Sequence, residues 1–325
     1  MARFLNWAES VSLATMKNFL RKIGLFAALT LALAIGLQAF LSWRMHDKIL
    51  IGSDNLHLHD QPADLVLLGS SRCWAHFDPK FFEKEFGTKA INIGMSGHSE
   101  IDLNRLRLES YLAKNKNPRF VIFNFDPMAS PDSVNKGENY VLKDIYSRYA
   151  FWPDKHNASI LDFLKYNWAE KYIPAFALIK YKMVMPALRP PKEVAYVTYG
   201  YENTTRHWDT IAQPPSGVMK QYFFTEKDVS AITRALAALK KTCDAHRIKL
   251  LCIQTPIYKS AYDAKAFART GDICKNLGID FLDTDSEAFR NCIDCFYNSN
   301  HMNRTGVEKM NAVLADDARL RQFLQ

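Results

Sequence analysis

The sequence predicts an α/β fold: a doubly wound, five-stranded parallel sheet, a helical and loop insertion after the third strand, and one transmembrane helix at the amino terminus. Three observations carry that expectation. Apolar runs of strand length alternate with segments of helical spacing over residues 64–125 and again over 225–314. Residues 129–222 interrupt the alternation with Tyr, Trp, Lys and Pro in irregular order. Residues 23–43 carry no charge over about the length that spans a bilayer.

The chain has 325 residues, enough for one large domain with an insertion or for two domains. Apolar residues make up 48%, so a sizeable core can be buried. No internal repeat or low-complexity stretch is present. The net charge is +8, and no nucleic-acid motif accompanies it. The excess reads as affinity for an anionic surface, lipid headgroups or acidic polymer, or simply as a solubility device.

Lys17, Arg21 and Lys22 precede the apolar run, with Arg3 further upstream, and Arg44 and Lys48 follow it. That balance leans toward a cytoplasmic amino terminus and an exported body. A cleaved signal peptide is the competing reading. It fits less well, because the run is long, no small-x-small site follows closely and a signal core needs no such lead-in. Within residues 1–22, Phe4, Leu5, Trp7, Val11, Leu13, Met16, Phe19 and Leu20 stand at mixed helical spacing. They read as a helix lying on the inner surface or packed on a membrane partner. Residues 44–63 form a polar linker in which His57 and His59 read as solvated, and the exported domain then covers 64–325.

Six cysteines are present: Cys73, Cys243, Cys252, Cys274, Cys292 and Cys295. Export permits pairing. Cys292 and Cys295 are candidates for a small disulfide loop and Cys243 with Cys274 for a second; the alternative leaves all six free and buried. No second Cys-x-x-Cys or His pair stands at zinc spacing, so neither a metal nor a cofactor is expected.

In order, the first strand covers 64–69 and ends in Gly69-Ser70-Ser71. A hydroxyl there sits at the carboxyl edge of the sheet, where such folds place ligands; a plain turn with a helix cap is the other reading. A helix over 77–86 stops at Gly87, and a short strand from Ala90 runs into Gly94 and Gly97. Glycines let backbone N–H groups approach a ligand, which suits an oxyanion site. A helix over 101–114 leads to a third strand, 118–125, ending in Asn124, a polar amide that needs a partner. The insertion follows, with helices expected over 159–171 and 175–185. It would overlie the carboxyl edge and shape a cleft. Its aromatic residues Tyr146, Tyr149, Trp152, Trp168, Tyr172, Tyr196, Tyr199, Tyr201 and Trp208 read as sugar-stacking or membrane-facing groups, or as the insertion's own core. The pattern resumes with a helix over 226–246 capped by Thr225, a strand over 249–254, a helix over 263–277 stopped by Gly278, a strand over 279–282 and a final helix over 307–314.

Ser71, Gly97, Asn124 and His301 therefore all fall in loops. Histidine is the usual base for a serine nucleophile, and a backbone N–H with an amide side chain can hold an oxyanion. Their order and placement resemble the SGNH hydrolase superfamily over residues 64–127 and 225–315. The resemblance implies a flavodoxin-like sheet of the SGNH type, with Ser71 as nucleophile and Ser70 where the family has Asp. It implies Gly97 and Asn124 as the oxyanion hole, and His301 as base within the block Asn298-Ser-Asn-His301-Met-Asn-Arg-Thr-Gly306. The family's Asp in that block is Asn298 here. An amide oxygen can accept from the imidazole but adds no negative charge, and such a change in a serine triad can cost about 10⁴ in rate. Asp294 or Asp126 could substitute, or the site could serve binding alone.

Within the superfamily, the anchor and these motifs resemble membrane-anchored proteins of extracytoplasmic O-acylation, among them the D-alanyl transfer protein of teichoic acid synthesis and the alginate acetylation proteins. The resemblance implies a bacterial single-pass protein of the cytoplasmic membrane with its domain outside the cytoplasm. It also implies a polytopic membrane-bound O-acyltransferase as partner and a cell-surface glycan as acceptor. A periplasmic carbohydrate esterase and a non-catalytic adaptor are the alternatives.

Overall fold

The computed structural model describes residues 2–46, 62–94, 99–113, 115–130, 197–198 and 200–325. The linker histidines His57 and His59, Gly97, the helices expected over 159–171 and 175–185, and Tyr146, Tyr149, Trp152, Trp168, Tyr172, Tyr196 and Tyr199 lie outside the described residues. The chain divides into two units. One contains the amino-terminal helix and the other every described residue from 62 onward.

The first unit's helix, α1 (Ala2–His46), is 45 residues long and unbroken. No proline interrupts residues 1–46, so the segment expected over 1–22 is not separate from the span but continuous with it. The stretch Thr15–Leu37 is long and apolar enough to cross a membrane, and it begins upstream of the span expected at 23–43. Its large apolar side chains, Phe19, Leu25, Phe26 and Leu33 among them, are exposed.

The body is α/β with a parallel five-stranded sheet. In chain order it runs β1 (Leu65–Leu68), α2 (Ser71–His76), α3 (Pro79–Phe86), β2 (Ala90–Asn92), α4 (Ile101–Leu112) and β3 (Phe120–Asn124). A hairpin follows, β4 (Val197–Thr198) and β5 (Tyr201–Glu202), then α5 (Val229–Ala245), β6 (Lys249–Gln254), α6 (Ala264–Asn276) and β7 (Asp280–Asp283). The chain closes with α7 (Glu287–Arg290), β8 (Phe296–Asn298), β9 (His301–Met302), α8 (Arg304–Asp316) and α9 (Ala318–Phe323). The sheet order is β2-β1-β3-β6-β7 with every pairing parallel.

Strand alternation divides the core between the two faces. Val66, Leu68, Val121 and Phe123 pack with Leu108, Ile232 and Leu236 on one face. Leu65, Leu67, Phe120 and Ile122 pack with Phe77, Phe82, Val307 and Met310 on the other. Because both faces are covered, β1 is buried at all four residues, and a continuous apolar run is the pattern such a strand needs.

Several element boundaries differ from the sequence reading. Ser70 starts α2 by accepting from the Arg72 N–H, so the expected helix over 77–86 is preceded by a second short one. Asp78 then caps α3 by accepting from the Lys80 N–H. Thr225 does not cap α5: the Asp228 carboxylate takes both the Thr225 N–H and its hydroxyl, and the helix starts at Val229. The last long helix starts at Arg304, because Asn303 caps it by accepting from the Gly306 N–H. Cys243 and Cys274 are free and buried, as are Cys73 and Cys252, whereas Cys292 and Cys295 form a disulfide. Tyr201 is buried in the core beside α2 and offers no ring to a sugar.

Gly69 joins β1 to α2 at φ +151°, a conformation that side chains rarely adopt. A Cβ there would stand 2.8 Å from Cys73 Cβ and 2.9 Å from Asn124 Cβ. Backbone strain and overpacking therefore act together in Gly69→Ala, which should lower stability by about 2 kcal/mol or more. Urea unfolding of the variant against the parent measures this, and equal midpoints would show that the turn relaxes freely.

Candidate active site

The site is assembled at the carboxyl ends of β1, β3 and β6. Ser70 is spent on capping α2, which leaves Ser71 as the hydroxyl free to face outward. Ser71 and His301, 230 residues apart, meet with 2.8 Å between Ser71 Oγ and His301 Nε2. The opposite ring nitrogen, Nδ1, lies 3.1 Å from Asn298 Oδ1.

The orientation of Asn298 follows from its neighbours. Its Oδ1 accepts from the backbone N–H of Asn300 at 3.1 Å and of His301 at 2.9 Å. Two main-chain donors hold the oxygen end inward, so His301 Nδ1 must carry the proton. Nε2 is then an unprotonated acceptor, and the Ser71 hydroxyl donates to it. Asn298 thus selects the tautomer that a base toward Ser71 requires. Neither carboxylate considered as a substitute does so: Asp126 pairs with Arg72, and Asp294 is exposed.

A buried group behind these three residues had no signal in the serine and histidine motifs. Arg72 is fully buried, and its Nη2 donates to the Thr255 and Pro256 carbonyls at 2.6 and 2.9 Å and to Thr255 Oγ1 at 3.0 Å. Its Nη1 stands 3.4 Å from the Asp126 carboxylate. His76, also fully buried, accepts the Met302 N–H on Nε2 at 2.9 Å, so its Nδ1–H donates to Thr255 Oγ1 at 2.8 Å. A helical reading of residues 71–76, with Ser70 as cap, was the one available signal that Ser71 and His76 share an element.

A second group of side chains packs on His301. Tyr297 stacks on the imidazole at 5.4 Å between centroids, with the rings 8° from parallel. Arg206 lies over the Tyr297 ring, with its Cζ 4.5 Å from the centroid. Glu202 ties the two together, accepting from Arg206 Nη2 at 2.8 Å and from the Tyr297 hydroxyl at 3.2 Å. The insertion's described end, residues 200–222, therefore reaches the ring stacked on His301.

Asn124 ends β3 as expected but is turned toward β6. Its amide nitrogen donates to the Ile253 carbonyl at 3.2 Å and lies 3.4 Å from Thr255 Oγ1. Asn92, from the glycine-rich motif, clips α2 in place by donating to the Cys73 and Phe77 carbonyls.

These surroundings set the charges. Burial and the guanidiniums of Arg72 and Arg206 push the His301 pKa down to about 3. Burial, Arg72 and His301 hold His76 well below its ordinary value. Burial raises Asp126, against the pull of Arg72. Among the described residues, no cluster of three or more His, Cys, Asp or Glu side chains could hold a metal ion. No known family profile matches the chain, and no curated protein aligns with it significantly.

The two histidines make stability pH-dependent. In the unfolded chain each ring protonates near about 6.5. In the folded chain both stay neutral below that, His301 to about 3. The unfolded state then binds more protons, so stability falls as pH drops through that window. His301→Gln should flatten the decline between about pH 6.5 and 4 in urea unfolding; an unaltered slope would show that the folded imidazole titrates normally.

Proposed function

We propose that the body is a serine-dependent acyl-transfer domain of the SGNH type, carried on a bacterial cytoplasmic membrane by α1 and exported from the cytoplasm. It passes an acyl group to a hydroxyl of a cell-surface glycan. The observation that carries this reading is the chain of hydrogen bonds from Ser71 through His301 to Asn298, with the base held in the accepting tautomer. The strand order supports it. Counted within the sheet it is 2-1-3-4-5, the flavodoxin-like order, whose ligands bind where the order reverses beside the first strand. Ser71 follows that strand.

In the first half-reaction, Ser71 Oγ attacks the acyl carbonyl as its proton passes to His301 Nε2. The Gly97 N–H and the Asn124 amide are the family's donors to the tetrahedral oxyanion, and Asn124 can keep one N–H on the Ile253 carbonyl while its other serves. The leaving group takes the proton from His301. A glycan hydroxyl, deprotonated by the same imidazole, then attacks the acyl-serine and frees Ser71. Water in that position makes the site an esterase.

The apolar stretch Thr15–Leu37, with Lys17, Arg21 and Lys22 toward the amino terminus, supports single-pass anchoring with that end in the cytoplasm. The Cys292–Cys295 disulfide suits an oxidising compartment outside it. An acyl donor made inside the cell has to cross the bilayer, and a polytopic membrane-bound O-acyltransferase is the partner that would deliver it. One observation favours a second reading. Asn298 brings no charge, and His301 is held to about 3, so the imidazolium formed in each step is poorly stabilised. A site weakened this far would be an adaptor that binds glycan or the membrane acyltransferase without turnover.

The full-length chain should hydrolyse a chromogenic acetyl ester slowly, lose that activity in Ser71→Ala, and be labelled at Ser71 by a fluorophosphonate. A folded protein that shows neither turnover nor labelling is the adaptor instead. Asn298→Asp keeps all three acceptor contacts and adds a charge that favours protonated His301. It should raise kcat by about 10- to 10³-fold and move the acid limb of the pH profile upward. A polytopic partner that co-purifies only when residues 1–45 are present separates transferase from free-standing esterase.

A further inference from the structure

We infer that His76 is a positioning residue for the Ser71–His301 pair, tying the peptide beside the base to the helix that carries the nucleophile. The inference rests on the reading of Ser71 and His301 as nucleophile and base. Ser71 opens α2 and His76 closes it, so one six-residue helix carries both groups. His76 Nε2 accepts the N–H of Met302, the residue after His301, at 2.9 Å. Its Nδ1–H donates to Thr255 Oγ1 at 2.8 Å, and Arg72 Nη2 holds the same oxygen at 3.0 Å. With both nitrogens engaged, the buried ring cannot turn without losing a bond.

His301 needs such a tie. It stands on β9, two residues paired only with β8 in a two-stranded ribbon outside the main sheet. A ribbon of that size is marginal by itself. Met302 is fully buried, so its N–H has no water to fall back on. The imidazole of His76 supplies the acceptor that a neighbouring strand would otherwise provide. It does so from the element that places Ser71, so the reach between nucleophile and base is set within one rigid connection. His76 does not itself touch Ser71: its ring lies edge-on to that of His301, with centroids 6.2 Å apart, and its acceptor nitrogen is taken by the main chain.

The test uses the full-length chain in detergent with two variants. His76→Phe keeps the bulk and removes the acceptor, while His76→Gln restores an amide oxygen to accept from Met302. The readouts are kcat and KM on the acetyl ester, and the nitrogen and Nδ1–H resonances of His301. His76→Phe should lower kcat by about 10²-fold, the scale of an ångström's misplacement, with KM within about two-fold. It should also lose the Nδ1–H signal, and His76→Gln should recover both to within about ten-fold of the parent rate. Parent-like kcat and His301 resonances in a His76→Phe protein that is merely less stable would reduce His76 to core packing and overturn the inference. So would a glutamine variant as impaired as the phenylalanine one. If His76→Phe does not fold, the glutamine variant decides by whether the Nδ1–H signal and the rate are kept. If the parent shows no turnover, the function proposed above fails, and the dependence of the His301 signal on residue 76 still judges the positioning.

Discussion

A neutral imidazole can take a proton from a serine only if the nitrogen facing that serine is the bare one. In this chain an uncharged oxygen decides which nitrogen that is. Asn298 Oδ1 is held inward by the main-chain N–H groups of Asn300 and His301, and the Nδ1 of His301 is left to donate to it. An amide in place of a carboxylate is damaging in a serine triad largely because it can present its N–H end and force the wrong tautomer. The tight turn from Asn298 to His301 removes that freedom. What it does not restore is charge, so geometry and basicity, which an aspartate supplies together, are separated here.

Arg72 enlarges the separation. It follows Ser71 directly, yet its side chain runs into the interior, where it grips two carbonyls after β6 and faces Asp126. A buried ion pair is weak support for stability, because desolvating both charges offsets most of their attraction. Its value lies in the connections: α2 is fastened to the end of β6, and through Thr255 to His76 and the peptide after His301. Burial first, and then the same guanidinium, depresses both imidazoles, so a group that fixes the geometry also helps to keep His301 neutral. Tyr297 and Arg206 repeat the theme, since the stack fixes the ring while the second guanidinium lowers its pKa further.

β1, β2, β3 and most of β6 were legible because each is a short, largely apolar run buried in the sheet, and the sheet then follows from alternation with helices. Ser71, Asn298 and His301 were legible as candidates because a turn after a buried strand and a polar block before a helix place few residue types at the carboxyl edge. Other features carried no local signal. Thr225 fits a cap as well as Asp228 does, and only the bonds between the two show which one starts α5. Asn124 reads as a donor to an oxyanion, and nothing in its surroundings along the chain foretells the bond it makes to the Ile253 carbonyl of β6. Tyr201, one of many aromatic residues in an irregular stretch, proves to be core because the hairpin folds against α2.

Local chemistry sufficed wherever the answer depends on neighbours in the chain. Apolar runs make strands, and Gly69 makes a turn. The tertiary structure alone decided which serine faces a histidine 230 residues away, that a buried arginine and a second histidine stand behind them, and that Asn298 turns its oxygen inward. The reason is physical. A hydrogen bond across the fold depends on the direction and distance of groups brought together by packing, and neither quantity is encoded in the spacing of residues along the backbone.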